Sequence, residues 1–228
     1  MENAAGPPAA DLAREERLLG TAGSPGADPV LYFYSWADPV LVLGHGQGDE
    51  GLDLEFARSR AIGVARRVTG GTGVYHHDDL AVSLVLPATH PWAGGIRPLY
   101  DRMTEVLAQA LKEMGIGTTR PEARLVHKTR RPSLCFADHS VETLLVDGCK
   151  SVGCSQARRR AAVLVHAFLL FNDDLSITAR LFRMEPAAVA SLIAPLPITR
   201  ESQPLLRTAI ARRFSEALGL GTVAVPLQ

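Results

Sequence analysis

The residues between Arg66 and Gly73 combine cationic side chains with closely spaced glycines, a pattern that suits binding of an anion or a polarised carbonyl group. The segment reads Arg-Arg-Val-Thr-Gly-Gly-Thr-Gly. Glycines at three of its last four positions let the main chain approach a ligand closely and turn several N–H groups towards it. Arg66 and Arg67 add guanidinium donors that suit a carboxylate or a phosphate.

This glycine segment differs from two common nucleotide-binding loops. No Gly-Lys-Ser or Gly-Lys-Thr follows Gly73, so it is not a P-loop. A strand at 74–76, rather than a helix, is predicted to follow it, so it is not a dinucleotide-binding fingerprint. From these residues alone, a flexible hairpin loop with two solvated arginines remains the alternative interpretation.

Lys150 is the second residue whose position suggests chemistry. Arginine is the usual cation of this chain, since only three of its 24 basic residues are lysines, at positions 112, 128 and 150. Lys150 follows the turn Asp147-Gly148 and begins a largely apolar strand, where a partly desolvated lysine is unusual unless it is paired. The alternative is a lysine at the end of a hairpin whose amine reaches water.

The three cysteines, at positions 135, 149 and 154, match neither a disulfide framework nor a zinc pattern. Their odd number favours reduced thiols in a cytoplasmic protein, and without a Cys-x-x-Cys pair no metal site is expected. Because side chains alternate along a strand, Cys149 is predicted to face away from Lys150 and to pack. Cys154 is predicted to share the face of Lys150.

Cys135 lies in a long polar loop and is preceded by Lys128, Arg130 and Arg131. This cationic setting favours the thiolate, which is the nucleophilic form of cysteine. A thiolate can take an acyl group from a thioester at little thermodynamic cost. Cys154 remains a rival nucleophile, and a buried cysteine is more often only a small apolar side chain.

Hydrophobic patterning predicts the elements that must position these residues. Apolar residues recur at helical spacing at positions 99, 103, 107, 111 and 114. The predicted strands span 30–34, 40–43, 80–86, 141–146, 149–154 and 161–171, and the last helix spans about 203–218. This order predicts an α+β fold with a mixed, mostly antiparallel sheet covered by helices. Residues 1–29 are expected to form a flexible N-terminal segment with a short helix capped by Asp11, and residues 30–228 a single domain.

Composition excludes several other classes of protein. The 24 basic and 24 acidic residues cancel, which leaves no broad field to attract nucleic acid or an anionic membrane. The first residues lack the cationic flank and apolar run of a signal peptide. The longest apolar stretch, 161–171, is too short to span a bilayer. A cytoplasmic protein that binds neither nucleic acid nor membrane is therefore predicted.

The glycine segment closely resembles the Arg-Arg-x-Ser/Thr-Gly-Gly-x-Gly/Ala-Val-x-His signature of the lipoate–protein ligase and octanoyltransferase family, also called the biotin/lipoate A/B protein ligase family. A second stretch, 147–156, is similar to the family's Gly-x-Lys-x-x-Gly-Ser-Ala-Gln element. Single matches lie between and around these stretches, in the family's order: Tyr34, Trp36, Pro39, Gly44, Gln47, His76, Leu80, Ser83 and His166. The resemblance covers roughly residues 30–175 and implies the fold of the biotin/lipoate ligase catalytic domain.

The resemblance also implies a site. Lys150 would contact the acyl carbonyl, where a cation stabilises developing charge. Cys135 would be the nucleophile, because its segment resembles a loop of the cysteine-dependent octanoyltransferases. The substrate-binding residues would be Arg66, Arg67, Thr69, Gly70, Gly71, Gly73, His76, Gly153 and His166.

The activity implied is transfer of an octanoyl or lipoyl group from acyl carrier protein, through a cysteine thioester, to a lysine of a lipoyl-domain protein. No cofactor would be needed. One alternative is an ATP-dependent lipoate–protein ligase that uses ATP and Mg²⁺, although ligases of this family commonly carry a further C-terminal domain. Another is a relative that only binds an acylated partner. His77 and Ala167 keep that reading open, since they replace an aspartate and a glycine of the family pattern.

Overall fold

Two long apolar strands form the centre of the molecule. The computed structural model describes residues 3–5, 8–24, 26–36, 38–122, 132–138, 143–171 and 174–220. Its strands are β1 (Asn3–Ala5), β2 (Val30–Ser35), β3 (Val40–Leu43), β4 (Gly63–Arg66), β5 (Val74–His76), β6 (Leu80–Pro87), β7 (Leu144–Val146), β8 (Cys149–Arg158) and β9 (Ala162–Leu169). Its helices are α1 (Pro8–Thr21), α2 (Leu54–Ser59), α3 (Ile96–Glu113), α4 (Leu175–Leu181), α5 (Pro186–Ala190) and α6 (Gln203–Leu218). All of β9 and all of β6 except Pro87 are buried, so the sheet is covered on both faces.

The strands form a large sheet and a small one. The large sheet has the order β1-β2-β6-β9-β8-β7, and every pairing in it except β1 with β2 is antiparallel. The small sheet has the order β4-β3-β5. The predicted α+β class with a mixed, mostly antiparallel sheet is confirmed. Strand β4 was not predicted, because its residues are largely exposed and carry little apolar pattern.

The two faces of the large sheet support different parts of the molecule. On one face, α3 and α6 pack over Val152, Val165 and Ala167. The other face packs against the small sheet and α4, with Phe168 among its buried side chains. The candidate chemical residues gather on this second face. No described helix has both the length and the apolar character that a bilayer span requires.

Helix α1 is packed against the sheet. Leu12, Glu15 and Leu19 recur at helical spacing, and all three are buried. The contacts of α1 with β4, β6 and β9 therefore join it to the strands that follow. The flexible character of residues 1–29 and the domain boundary at residue 30 stay predictions, but the helix within that segment contributes a side chain to the core.

The turn between β7 and β8 has the conformation that its sequence requires. Asp147 and Gly148 have φ angles of 50° and 79°. These left-handed values fit a two-residue hairpin turn, for which Asp-Gly is a preferred sequence. The predicted hairpin is confirmed from residue 143 onward, while 139–142 lie outside the described residues.

We expect Gly148→Ala to lower the free energy of unfolding by about 1 kcal/mol, because a Cβ is strained at positive φ. Gly117→Ala is the matched control, since Gly117 is exposed, has no positive φ and has open space around it. Urea unfolding of both variants measures the difference. Equal stabilities for the two variants would contradict this account of the turn.

Candidate active site

Main-chain hydrogen bonds join the glycine segment to the turn that carries Cys135. The N–H of Gly73 donates to Ser133 O over 2.8 Å, and the N–H of Cys135 donates to Gly73 O over 2.8 Å. Cys135 is partly buried at the start of a short 3-10 turn, Cys135–Ala137. Two stretches separated by about sixty residues in the sequence therefore form one surface.

Lys150 holds the same turn from the other side. Its Nζ donates to Cys135 O at 3.1 Å and to Asp138 O at 2.8 Å, and it lies 5.0 Å from the centre of the Phe136 ring. The side chain is buried, with 4% of its surface exposed. An ammonium has three donors, and two of them are used in these bonds; the third donates to none of the described residues. The alternative of a hairpin-end lysine in water is thus wrong.

A β-bulge decides which way Lys150 points. In the pairing with β7, Leu144 lies opposite Val152 and Leu145 opposite Lys150, so Ser151 is an extra residue. The bulge brings Lys150 to the face of Gly153, where an added Cβ would lie 3.2 Å from Lys150 Cε. Simple alternation along β8 therefore does not hold at this point.

The bulge corrects the prediction for Cys154. This residue packs with the α3 and α6 side of the sheet, opposite the face that holds Lys150. Ala167 pairs with Cys154 and packs on the same side, so the alanine that replaces the family's glycine does not face Lys150. Cys149 Sγ donates to Ser191 O at 3.4 Å, next to the end of α5. The three cations that precede Cys135 in the sequence, Lys128, Arg130 and Arg131, lie outside the described residues.

Arg67 shapes the glycine segment from within. Its Nη2 donates to Gly70 O at 2.9 Å and to Thr72 O at 3.0 Å, and only 1% of the residue is exposed. Gly71 has φ +99°, and a Cβ there would lie 2.8 Å from Arg67 Nη2. Position 71 therefore needs glycine for both its conformation and its space.

The Arg67 guanidinium also carries charge into the site. Its Nε and Nη1 are buried and hydrogen-bond to none of the described residues. Burial lowers the pKa of Arg67, and the interaction with Cys135 opposes that fall. A guanidinium and a thiolate at these two positions stabilise each other, which suits Cys135 as a nucleophile.

Arg66 has a different role from Arg67. It is exposed, and its Nη1 donates to Gly44 O at 2.6 Å and to Gln47 O at 2.7 Å. Gln47 Nε2 in turn donates to Ser133 O at 3.1 Å. Arg66 thus supports the Cys135 turn through the 44–47 loop, whereas it was predicted to bind substrate; that role stays a prediction.

His76 is a neutral side chain in the core of the second face. Its Nδ1 lies 3.1 Å from Asp79 Oδ2, and its ring stacks on Trp36 at 5.0 Å. Burial, together with the charges of Arg67 and His166, holds the pKa of His76 well below 6.5. Its buried Nε2 contacts none of the described polar groups within hydrogen-bond distance.

His166 lies at the centre of a buried polar network. Its Nε2 is 2.6 Å from Ser155 Oγ and 2.9 Å from Thr69 Oγ1, and Ser155 Oγ is 2.9 Å from Thr69 Oγ1. On the other side of the ring, Nδ1 is 3.0 Å from Glu15 Oε1. Glu15 also accepts hydrogen bonds from Tyr34, at 2.9 Å, and from Ser83.

No role in the site was predicted for Glu15 or Ser155 from the sequence. The sequence did contain a signal for Glu15. It lies between Leu12 and Leu19 on the apolar face of α1, where an acidic residue would be buried and is therefore not expected. Ser155 carried no such signal, since its contact with His166 depends on the register of β8 against β9.

The network keeps Glu15 ionised in the core. Burial raises the pKa of Glu15, but the charge of His166 and the hydrogen bonds from His166, Ser83 and Tyr34 outweigh it. The pKa therefore lies below its ordinary value of 4.5. Burial and Glu15 raise the pKa of Tyr34 well above 10.0, so the tyrosine keeps the proton that it donates.

Among the described residues, no group of three or more His, Cys, Asp and Glu side chains is placed to hold a metal ion. The expected lack of a metal stays a prediction.

The depressed pKa of Glu15 predicts a pH-dependent contribution to stability. That contribution is complete above the ordinary value of 4.5 and is lost as the pH falls through the lower pKa of the folded protein. Glu15→Gln should unfold more readily at neutral pH and lose less stability than the wild type below pH 4.5. Urea unfolding across this range measures both effects. Glu16→Gln, on the exposed side of α1, is the control, and matching pH profiles for the two variants would refute the assignment.

Comparisons with known proteins identify the family. The model of the lipoyl protein ligase A/B catalytic domain matches residues 7–201. "Octanoyltransferase LipM" of Moorella thermoacetica is 35% identical over 177 residues, which is 74% of this chain and 64% of that protein. "Octanoyltransferase LipM" of Staphylococcus aureus is 31% identical over 172 residues, 72% of this chain and 62% of that protein. The matched region thus spans just under two thirds of the length of these relatives.

Solved structures show the same fold. A lipoate-protein ligase A bound with ATP superposes with a TM-score of 0.78 at 23% identity, covering 100% of this chain and 87% of the other. A bipartite lipoate protein ligase from Thermoplasma acidophilum, described with its E2 lipoyl domain, gives 0.78 at 23% identity, covering 100% and 86%. The predicted family is confirmed: this chain belongs to the lipoyl protein ligase A/B catalytic-domain family.

Proposed function

We propose that the chain is an acyltransferase that moves an octanoyl or lipoyl group from acyl carrier protein to a lysine of a lipoyl-domain protein, with Cys135 holding the group as a thioester. The observation that carries the proposal is that two elements bind the turn of Cys135: the Lys150 ammonium, and the glycine segment that Arg67 holds. The names of the relatives, octanoyltransferase, support the same reaction.

In the first step the Cys135 thiolate attacks the carbonyl carbon of the carrier-bound acyl thioester. The carbon–sulfur bond to the carrier breaks, and the carrier leaves as a thiolate, which takes a proton from water. One thioester replaces another, so the step needs no other source of energy. Arg67 favours the thiolate, while the remaining donor of Lys150 and the N–H groups of Gly70 and Gly71 receive the developing oxyanion.

In the second step the amine of the acceptor lysine attacks the Cys135 thioester. An amide forms, the nitrogen releases one proton to solvent, and the Cys135 thiolate leaves. Because the acyl group arrives already activated, the cycle uses no cofactor. We place it in the cytoplasm, where reducing conditions keep a nucleophilic cysteine as a thiol.

An ATP-dependent ligase is the second candidate, since the family takes its name from lipoyl protein ligases. Intact-mass analysis separates the two. The protein is mixed with octanoyl carrier protein, and separately with octanoate, ATP and Mg²⁺. A hydroxylamine-sensitive octanoyl adduct from the carrier alone supports the transferase. Pyrophosphate exchange without an adduct would select the ligase, and silence in both would select a binding protein.

Cys135→Ser should abolish the hydroxylamine-sensitive adduct, because a serine ester resists neutral hydroxylamine. Cys149→Ser and Cys154→Ser are the controls. Both should keep the adduct, since neither thiol lies in the turn that Lys150 binds. Mass spectrometry after incubation with octanoyl carrier protein reads all three. Loss of the adduct in Cys154→Ser but not in Cys135→Ser would reject Cys135 as the nucleophile.

Lys150→Ala should reduce octanoyl transfer by about 10²–10³-fold, the usual effect of removing one oxyanion donor. Lys150→Arg should also be slow, because a planar guanidinium does not fit where a compact ammonium bonds two carbonyls. Lys112→Ala, on the exposed side of α3, is the control. Transfer by Lys150→Ala at the control's rate, with both proteins folded by circular dichroism, would remove the lysine from the site.

A further inference from the structure

A serine, a histidine and a glutamate are linked by hydrogen bonds near the Cys135 site, and the serine is on the same strand as Lys150. Ser155 Oγ is 2.6 Å from His166 Nε2, and His166 Nδ1 is 3.0 Å from Glu15 Oε1. A hydroxyl, an imidazole and a carboxylate in this order form the arrangement that activates serine in acyl-transfer enzymes. Ser155 is partly exposed, whereas His166 and Glu15 are fully buried.

The Glu15 carboxylate fixes the orientation of the His166 imidazole. Glu15 accepts from three donors, namely Tyr34, Ser83 and His166, so it is held in place as an anion. Because Glu15 is an acceptor, His166 Nδ1 donates to it, and Nε2 is turned towards the Ser155 hydroxyl, from which it takes the proton in the proposed reaction.

Ser155 also lies next to groups that suit an acyl carbonyl. Thr69 Oγ1 lies 2.9 Å from Ser155 Oγ, and Thr69 is followed in the chain by Gly70 and Gly71. The N–H groups of these two glycines donate to none of the described residues. Two residues before Ser155, Gly153 lies against Lys150 and Phe136. The His166 ring is 4.4 Å from Phe168, which pairs with Gly153.

We propose that Ser155, with His166 as its base and Glu15 orienting the base, is a second acyl-accepting nucleophile that hydrolyses medium-chain acyl thioesters and esters. The family element quoted above has alanine in this place, so the hydroxyl is a feature of this chain. The inference takes only its acyl class from the proposed function.

The reaction balances without a further reagent. Ser155 Oγ attacks the carbonyl carbon, and its proton passes to His166 Nε2. The carbon–sulfur bond breaks, and the departing thiolate takes that proton. Water then attacks the serine ester and gives a proton to Nε2, which returns it to Ser155 Oγ as the carbon–oxygen bond breaks. The products are a free thiol and a fatty acid.

The test uses the full chain with Cys135→Ala, which removes the first nucleophile. A fluorophosphonate probe should label Ser155, as mapped by peptide mass spectrometry, and p-nitrophenyl octanoate should be hydrolysed. Adding Ser155→Ala should abolish the labelling and lower hydrolysis by about 10²-fold or more, and His166→Asn should do the same. Ser151→Ala, at a buried serine of the same strand outside this network, should change neither.

Labelling absent from Ser155, or ester hydrolysis equal in Ser155→Ala and Ser151→Ala, would overturn the inference and leave the network as a structural one. Because these measurements are made without Cys135, they are independent of the thioester adduct. A missing adduct in the wild type together with a labelled Ser155 would reject the proposed function and keep the second nucleophile.

Discussion

The buried ammonium of Lys150 against the carbonyl oxygens of Cys135 and Asp138 is the contact on which the site depends. Burying a charge is costly unless hydrogen bonds replace those of water, so the turn and the lysine must fold together. The main chain of Lys150 is fixed as well, since its N–H donates to Leu192 O at 2.8 Å and its carbonyl accepts from Ala194 at 3.1 Å. A loop residue, Cys135, thereby acquires a fixed position beside a strand.

The glycine segment completes this arrangement through a second buried cation. Arg67 binds the carbonyls of Gly70 and Thr72 with one nitrogen and leaves two others without a described hydrogen-bond partner. The described hydrogen bonds therefore compensate its charge only in part, Glu15 adds negative charge nearby, and in the proposed reaction a thiolate or an oxyanion would add more. Fixed donors that await charge lower the energy of a transition state more than that of a neutral substrate.

The Glu15 and His166 pair connects α1 to the same machinery. Removing one partner of a buried hydrogen-bonded pair is strongly destabilising, because the other polar group is left without a partner. Helix α1 is thus joined to β9 by the contact between Glu15 and His166, two residues that are 151 positions apart in the sequence. The same contact orients the imidazole beside Ser155, so one interaction fixes the N-terminal helix and prepares a base.

Local pattern was enough to identify the glycine segment, the Asp147-Gly148 turn and the apolar strands. Each of these depends on residue type, period or turn chemistry, which short stretches of chain determine. The resemblance to the family singled out Cys135 and Lys150, which the structure brings together at one turn. Tertiary structure decided the rest. The bulge at Ser151 reversed the expected faces of β8, since register depends on the partner strand rather than on the strand itself. Glu15, Ser155 and His166 become a unit only because buried polar groups must find partners, and those partners come from elements far apart in the chain.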